Sequence, residues 1–444
     1  MSRQLEFYLF HNGAYRWAPH KDLIGEWSRS NFVSLPTSFY KPEYALRAMD
    51  EWLETNILAE KLGYDGVVVG EQHNGPIGLS GNPMVITSWL AANTERLLIA
   101  AVGPLLNAYL SPLRLAEEIA IVDILSRGRL ILGLPMGIGG QYHSVGVMDP
   151  THARTRFREA HDLMFKAMTE PGPFEWQGDY FHVPYVNLWP RPLQQPHPPV
   201  WIPAAGSRET LQLCARRRYT YQSVLTPRST LSRNCVLFRE LCAEEGYETA
   251  PEQIAYVVIV HVAETDRQAR LEAEPHVMWL YQNFFRSTFQ DSFPPGHVSI
   301  ASLRGMAAGG GYRSRDISEM TWEELWDEGW IVAGSPSTVV ERLEELTDEF
   351  GAGRIVMIPD MGSAPSWMVK KNLTLCAEEV LPRFRAPGAG PVWAREDRRA
   401  PTTWAQWAAA GGEPKATPEA RVEGDGVLDV RTAHVQELRE PTRE

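Results

Sequence analysis

Short apolar runs rich in β-branched residues alternate along the chain with amphipathic stretches of helical period, the pattern of repeated βαβ units. The runs at 5–10, 66–70, 97–102, 130–134, 200–204, 256–262 and 355–359 are apolar almost throughout, as expected of parallel strands covered on both faces. A further strand at 219–224 brings the number to eight, and helices are predicted over 43–62, 113–126, 154–168, 209–217, 337–350 and 366–381. Eight such strands close an α/β fold of the (β/α)8 TIM-barrel type, whose active site collects at the C-terminal strand ends. An open doubly wound sheet fits less well, because the first strand runs into His11, Asn12 and Gly13 and no GxGxxG fingerprint follows it.

Two connections, at about 11–41 and 278–330, are much longer than ordinary βα loops. The second carries Trp279, Tyr281, Phe284, Phe285, Phe289 and Phe293, together with Gly309, Gly310 and Gly311. It suits either a lid over an apolar pocket or an accessory packing element. From 386 the composition turns to Pro, Gly, Ala and charge. The expected organisation is a barrel with insertions over 1–385 and an irregular extension over 386–444, whose Trp393, Trp404 and Trp407 can dock on the barrel or on a neighbouring subunit.

Composition narrows the function. Of the 444 residues, 44% are hydrophobic and 22% charged, enough for one large core, and the net charge of −12 with no basic clusters argues against nucleic acid or an acidic membrane surface. Cys214, Cys235, Cys242 and Cys376 are dispersed without metal-ligand spacing, which predicts reduced structural thiols and no metal site. No stretch has the length or apolarity of a membrane span or a signal peptide, so a cytoplasmic enzyme is expected.

Candidate chemistry sits where strands end. Glu71, Gln72 and His73 follow the second strand directly; His73 can exchange protons near neutral pH, and Glu71 reads as its buried orienting partner. A lone histidine is also common as a structural residue. The small residues Ala101, Val102 and Gly103 end the third strand, where they permit close approach of a flat ring or merely pack the barrel. A glycine-dense turn at 133–140, containing Pro135 and Met136, suits a phosphate or ring cradle as well as a tight connection. Gly206 and Ser207 end another strand and open a helix, a place for either an anion or an ordinary N-cap. Arg154 and Arg156 oppose the local helix dipole, which a bound phosphate would compensate; Arg158 reads as solvated surface.

These residues resemble the bacterial luciferase-like flavin monooxygenases over roughly 5–382. The resemblance rests on Glu71-Gln72-His73 with Gly81-Asn82-Pro83, on Ser111-Pro112-Leu113-Arg114-Leu115-Ala116-Glu117-Glu118 leading through Asp123 to Leu125-Ser126-Arg127-Gly128-Arg129, and on the Gly206-Ser207 strand end. It implies FMN held non-covalently, its ring against Ala101 to Gly103 and its phosphate near Arg154 and Gly206-Ser207. It further implies reduced FMN delivered by a separate NAD(P)H-dependent flavin reductase, a C4a-(hydro)peroxyflavin that oxygenates a small apolar or aromatic substrate, and a homodimer or homotetramer. Two departures stand out: Gln72 occupies the place of the first histidine of the family's pair, and Pro135 and Met136 replace the Cys-Arg of luciferase. A non-luminescent member is expected, with a deazaflavin-dependent hydride-transfer enzyme or a non-catalytic flavin-binding protein as alternatives.

Overall fold

The computed structural model describes residues 4–24, 35–137, 141, 144, 149, 151–224, 226–285, 300, 304, 317–359, 362–386 and 388–394. Its strands are β1 (Glu6–Phe10), β2 (Gly66–Val69), β3 (Leu98–Ala101), β4 (Leu130–Gly133), β5 (Phe174–Gln177), β6 (His182–Val186), β7 (Val200–Ala204), β8 (Thr220–Ser223), β9 (Ile254–Val262), β10 (Ile331–Gly334) and β11 (Arg354–Ile358). The strands β1-β2-β3-β4-β7-β8-β9-β11 pair in parallel in that order and close on β1, forming the eight-stranded barrel. All eight correspond to strands anticipated from the apolar pattern. β10 was not anticipated: it lies beside the extended end of β9, with Ile331 opposite Ile259. Nor was the antiparallel hairpin β5–β6, whose largely exposed residues give no buried-strand signal.

The helices are α1 (Pro42–Leu62), α2 (Pro83–Asn93), α3 (Pro112–Leu125), α4 (Ala153–Thr169), α5 (Arg208–Arg217), α6 (Arg228–Glu244), α7 (Asp266–Trp279), α8 (Trp322–Asp327), α9 (Pro336–Phe350) and α10 (Ser366–Leu375). Proline opens α1, α2, α3 and α9, where its missing N–H costs nothing and its fixed φ starts the helix. Asn82 caps α2 by accepting from Met84 N and Val85 N at 2.9 and 3.2 Å. No described helix is long and apolar enough to cross a membrane.

Side chains alternate across the barrel wall. Tyr8, Val68, Ala100, Val102, Ile131, Trp201, Ala255, Val257 and Val356 fill the interior, while the opposite faces pack beneath the helices. The N-terminal end of the barrel is plugged by Arg354, which lies 2.7 Å from Glu6, donates to Thr220 Oγ1 at 2.9 Å and covers the Trp201 ring. The interior is therefore closed below, leaving the C-terminal end for chemistry.

Asp123 and Arg129 brace β4. Buried Asp123 accepts from Gln194 N and Nε2 at 2.8 and 2.7 Å. Arg129 donates to the carbonyls of Ser126, Leu97, Ala91 and Thr94 and to the Thr94 hydroxyl, so it ties the C-terminus of α2 to the start of two strands. Arg127 and Gly128 make the preceding turn with φ of 57° and 75°.

Trp279, Tyr281, Phe284 and Phe285 are core packing: α7 continues through a wider turn at Leu280–Phe284, and Tyr281 stacks on Trp330 with ring centroids 6.1 Å apart. These four take the packing role, not that of a lid. Phe289, Phe293 and Gly309, Gly310 and Gly311 lie outside the described residues, as do Trp404 and Trp407. Trp393 docks on its own barrel, donating to Tyr64 O at 2.9 Å beneath the Arg96 guanidinium. The adjacent Val392 N–H binds Asp65, immediately before β2, so this part of the extension clasps the N-terminal end of the barrel.

Candidate active site

The end of β2 passes directly into Gly70 and Glu71. Asn12, just after β1, accepts the Gly70 N–H at 3.1 Å, and Gln72 N donates to Ser80 O at 2.9 Å, which fixes the loop on both sides. Glu71 is buried; its Oε1 lies 2.7 Å from His73 Nε2 and its Oε2 accepts the Leu105 N–H at 3.0 Å. A charged carboxylate in that position favours a proton on Nε2. Nδ1 is then the nitrogen left for a ligand, on a side chain still 23% exposed. The three residues do different things: Glu71 orients, His73 faces outward, and Gln72 is held through its backbone.

The neighbouring β3 and β4 ends pack backbone on backbone. A Cβ on Gly103 would overlap the Gly133 carbonyl, and one on Gly133 would stand 2.5 Å from Val102 Cα. The backbones of the β3 and β4 ends thus touch at positions only glycine can fill. Ala101 and Val102 are buried beside them, and the Val102–Gly103 peptide is cis. Pro135 and Met136 follow β4 and are half-buried, with Gly137 at φ 83° making the turn; Ile138, Gly139 and Gly140 lie outside the described residues.

A second position forms after β7. Gly206 has φ 93°, and a Cβ there would collide with the Asn234 side chain, whose amide donates to Ala205 O at 2.9 Å. Ser207 caps α5, accepting from Thr210 N at 3.4 Å. Arg154 reaches this helix start through Glu209, at 2.8 Å, and Arg158 shares the same carboxylate. Arg154 is thereby tied to the first turn of the helix that Ser207 caps, and Arg158 with it. Arg156 is not brought there: it donates to Tyr109 O at 2.7 Å and lies over the Phe181 ring, where burial lowers its pKa.

The family model for luciferase-like monooxygenases matches residues 32–353. The chain belongs to this family. Among relatives of the luciferase-like chain, the oxygenase component of flavin-dependent trigonelline monooxygenase from Acinetobacter baylyi is 32% identical over 262 residues, 57% of this chain and 70% of that protein. The uncharacterized protein y4wF of Sinorhizobium fredii is 36% identical over 192 residues, 42% of this chain and about half (53%) of that protein. Two solved structures share the fold. The oxygenating constituent of 3,6-diketocamphane monooxygenase from Pseudomonas putida, in complex with FMN, has a TM-score of 0.67 at 19% identity and covers 86% of this chain and 99% of its own. The coenzyme F420 dependent tetrahydromethanopterin reductase of Methanopyrus kandleri has a TM-score of 0.57 at 16% identity and covers 86% and 100%.

The luciferase-like site fits a flavin on its own geometry. The backbones of Gly103 and Gly133 meet directly at the strand ends, where a ring system can approach closely, and the N-terminus of α5 at Ser207 is suited to an anion such as a phosphate. Sequence reasoning missed Asn12, Leu105, Asn234 and Glu209, whose roles depend on partners 29 to 58 positions away. Nothing in their local sequence marks them.

Proposed function

We propose that this luciferase-like monooxygenase is the oxygenase of a two-component system that takes reduced FMN from a separate NAD(P)H-dependent flavin reductase and oxygenates a small apolar or aromatic substrate. The observation that carries the reading is the Glu71–His73 pair at a strand end, beside a wall that only glycine backbones could form. Reduced FMN supplies the electrons that activate dioxygen, one oxygen atom going to the substrate and the other leaving as water. The protein binds the ring against Ala101, Val102 and Gly103, with Pro135 and Met136 at its border. It holds the phosphate with Ser207, Gly206 and Arg154 at the start of α5. Glu71 fixes the His73 ring, and His73 holds or delivers a proton at Nδ1. Gln72 shapes the loop through its backbone.

The trigonelline relative, named as an oxygenase component, supports a separate reductase, and the diketocamphane neighbour supports FMN. Exposed Val85 and Trp89 on α2 and Ile121, Ile124 and Leu125 on α3 support a homodimer or homotetramer. A deazaflavin-dependent hydride-transfer reading is favoured by one observation, the shared fold of the F420-dependent reductase.

The deciding experiment mixes anaerobic protein and reduced FMN with oxygen in a stopped-flow spectrometer. An absorbing species that precedes oxidised flavin, and persists longer than with free flavin, supports the monooxygenase. Oxidation at the free-flavin rate in the presence of candidate substrates, with tight binding of a deazaflavin, replaces it with the hydride-transfer reading.

A further inference from the structure

The apolar barrel interior contains one polar side chain without a partner among the described residues. On β8, Tyr221 faces outward onto Phe238 of α6, so Thr220 and Gln222 point inward. Thr220 is engaged by Arg354, and the Ser223 hydroxyl accepts the Val257 N–H at 3.1 Å. Gln222 is only 3% exposed, and its Oε1 has no hydrogen-bond partner among the described residues. Its register neighbours are Pro203 on β7 and Ala255 on β9, whose side chains can neither donate nor accept. A buried amide oxygen left unpaired keeps the full cost of its lost hydration, so its presence in an otherwise apolar barrel points to a ligand that completes it.

Position and chemistry name that ligand. Gln222 lies one residue before the C-terminal end of β8, with small Ala255 opposite it on β9. Above that pair the Val257 N–H donates to the Ser223 hydroxyl, and the β8–β9 register ends at Gln222. A carboxamide presents one donor and one acceptor side by side, and rotation exchanges them without loss. Its complement is an imide edge, an N–H flanked by C=O.

We infer that the Gln222 carboxamide binds the pyrimidine edge of the flavin, pairing with its N3–H and an adjacent carbonyl, and so sets how deeply the ring enters the barrel. The inference rests on the flavin reading, but not on the choice of flavin, because FMN and deazaflavins share that edge. Gln222 acts as a binding residue and takes no part in proton transfer.

The test is a binding cycle with FMN and 3-methyl-FMN, which lacks the N3 proton, on the full-length wild-type protein and Gln222→Leu, read by flavin fluorescence and calorimetry. The Leu side chain removes an unpaired polar group, so the variant melts at or above the wild-type temperature; Gln222→Met, equal in length, replaces it if it does not fold. Expected is about a tenfold loss of FMN affinity in the variant, a similar loss for 3-methyl-FMN in the wild type, and no further loss when both changes are combined. Wild-type FMN affinity in the variant, or methyl and side-chain losses that simply add, overturns the assignment while leaving the flavin reading intact. Failure of the wild type to bind either FMN or a deazaflavin overturns both, and is told apart by needing no variant.

Discussion

His73 Nε2 stands 2.7 Å from Glu71 Oε1, and the other oxygen of that carboxylate holds the Leu105 N–H at 3.0 Å. One buried carboxylate thus joins the end of β2 to the loop after β3 and presents an oriented imidazole at the mouth. His73→Ala should lower turnover by about 10²–10⁴-fold while flavin binding is retained. Glu71→Gln should keep the Leu105 contact and the fold but lose part of that rate, since an amide orients the ring less firmly. Single-turnover kinetics with reduced flavin check both; a His73→Ala protein turning over at the wild-type rate removes His73 from the mechanism.

Gly103→Ala forces a methyl group into the Gly133 carbonyl. The expected cost is about 1–3 kcal/mol of stability, accompanied by loss of flavin binding as the wall shifts. Thermal unfolding and a flavin titration on the same preparation measure the two effects. A variant that binds flavin normally shows that this wall is packing alone.

Asp123 makes the stability depend on pH in a direction opposite to that of most carboxylates. Burial pushes its carboxyl up to about 6, against the pull of the two Gln194 hydrogen bonds. The folded state therefore holds the proton more tightly than the unfolded chain, in which aspartate titrates near about 4. Its stabilising contribution is complete below about pH 4 and is lost as pH rises through about 6, a change on the order of 2–3 kcal/mol. Melting curves of wild type and Asp123→Asn across that window should diverge, the variant being flatter; parallel profiles would contradict the assignment.

Arg129 is a scaffold cation. Burial lowers its pKa to about 10, so it stays protonated at neutral pH while serving four carbonyls and a hydroxyl. Arg129→Met should cost about 3 kcal/mol or more, with Arg129→Lys recovering little because an ammonium cannot span the same acceptors. Chemical denaturation of the three proteins tests it, and near-equal midpoints would refute it.

Trp393→Ala removes the hydrogen bond to Tyr64 and the Arg96 contact at the N-terminal end of the barrel. About 1–2 kcal/mol of stability should go, with kcat and KM unchanged, because the dock lies opposite the catalytic end. A changed KM with unchanged melting would place the extension in the site instead.

The barrel was legible because strands buried on both faces must be apolar along their whole length, as Val67, Val68 and Val69 or Val257, Val258 and Ile259 are. The hairpin β5–β6 was not, since its fold depends on Glu159, whose carboxylate receives the N–H groups of Asp179, Tyr180 and Phe181 from another element. The stretches that carried the family resemblance proved to be mostly framework: Asn82 and Pro83 start α2, while Ser126 to Arg129 turn the chain into β4. Arg154 and Arg156, two positions apart on α4, looked equivalent in sequence; packing sends one to the start of α5 and the other to Tyr109 and Phe181.

The sequence by itself determined the eight barrel strands, six of the ten helices named above, and the placement of Glu71 and His73 at a strand end, because these follow from periodicity and backbone preference within a few residues. Only the tertiary structure decided that Gly103 meets Gly133, that Asn234 closes the Gly206 turn, that Glu209 joins Arg154 and that Gln222 stands unpaired in the barrel. Those relationships arise from closing eight strands into a ring, which brings together positions that no local pattern connects.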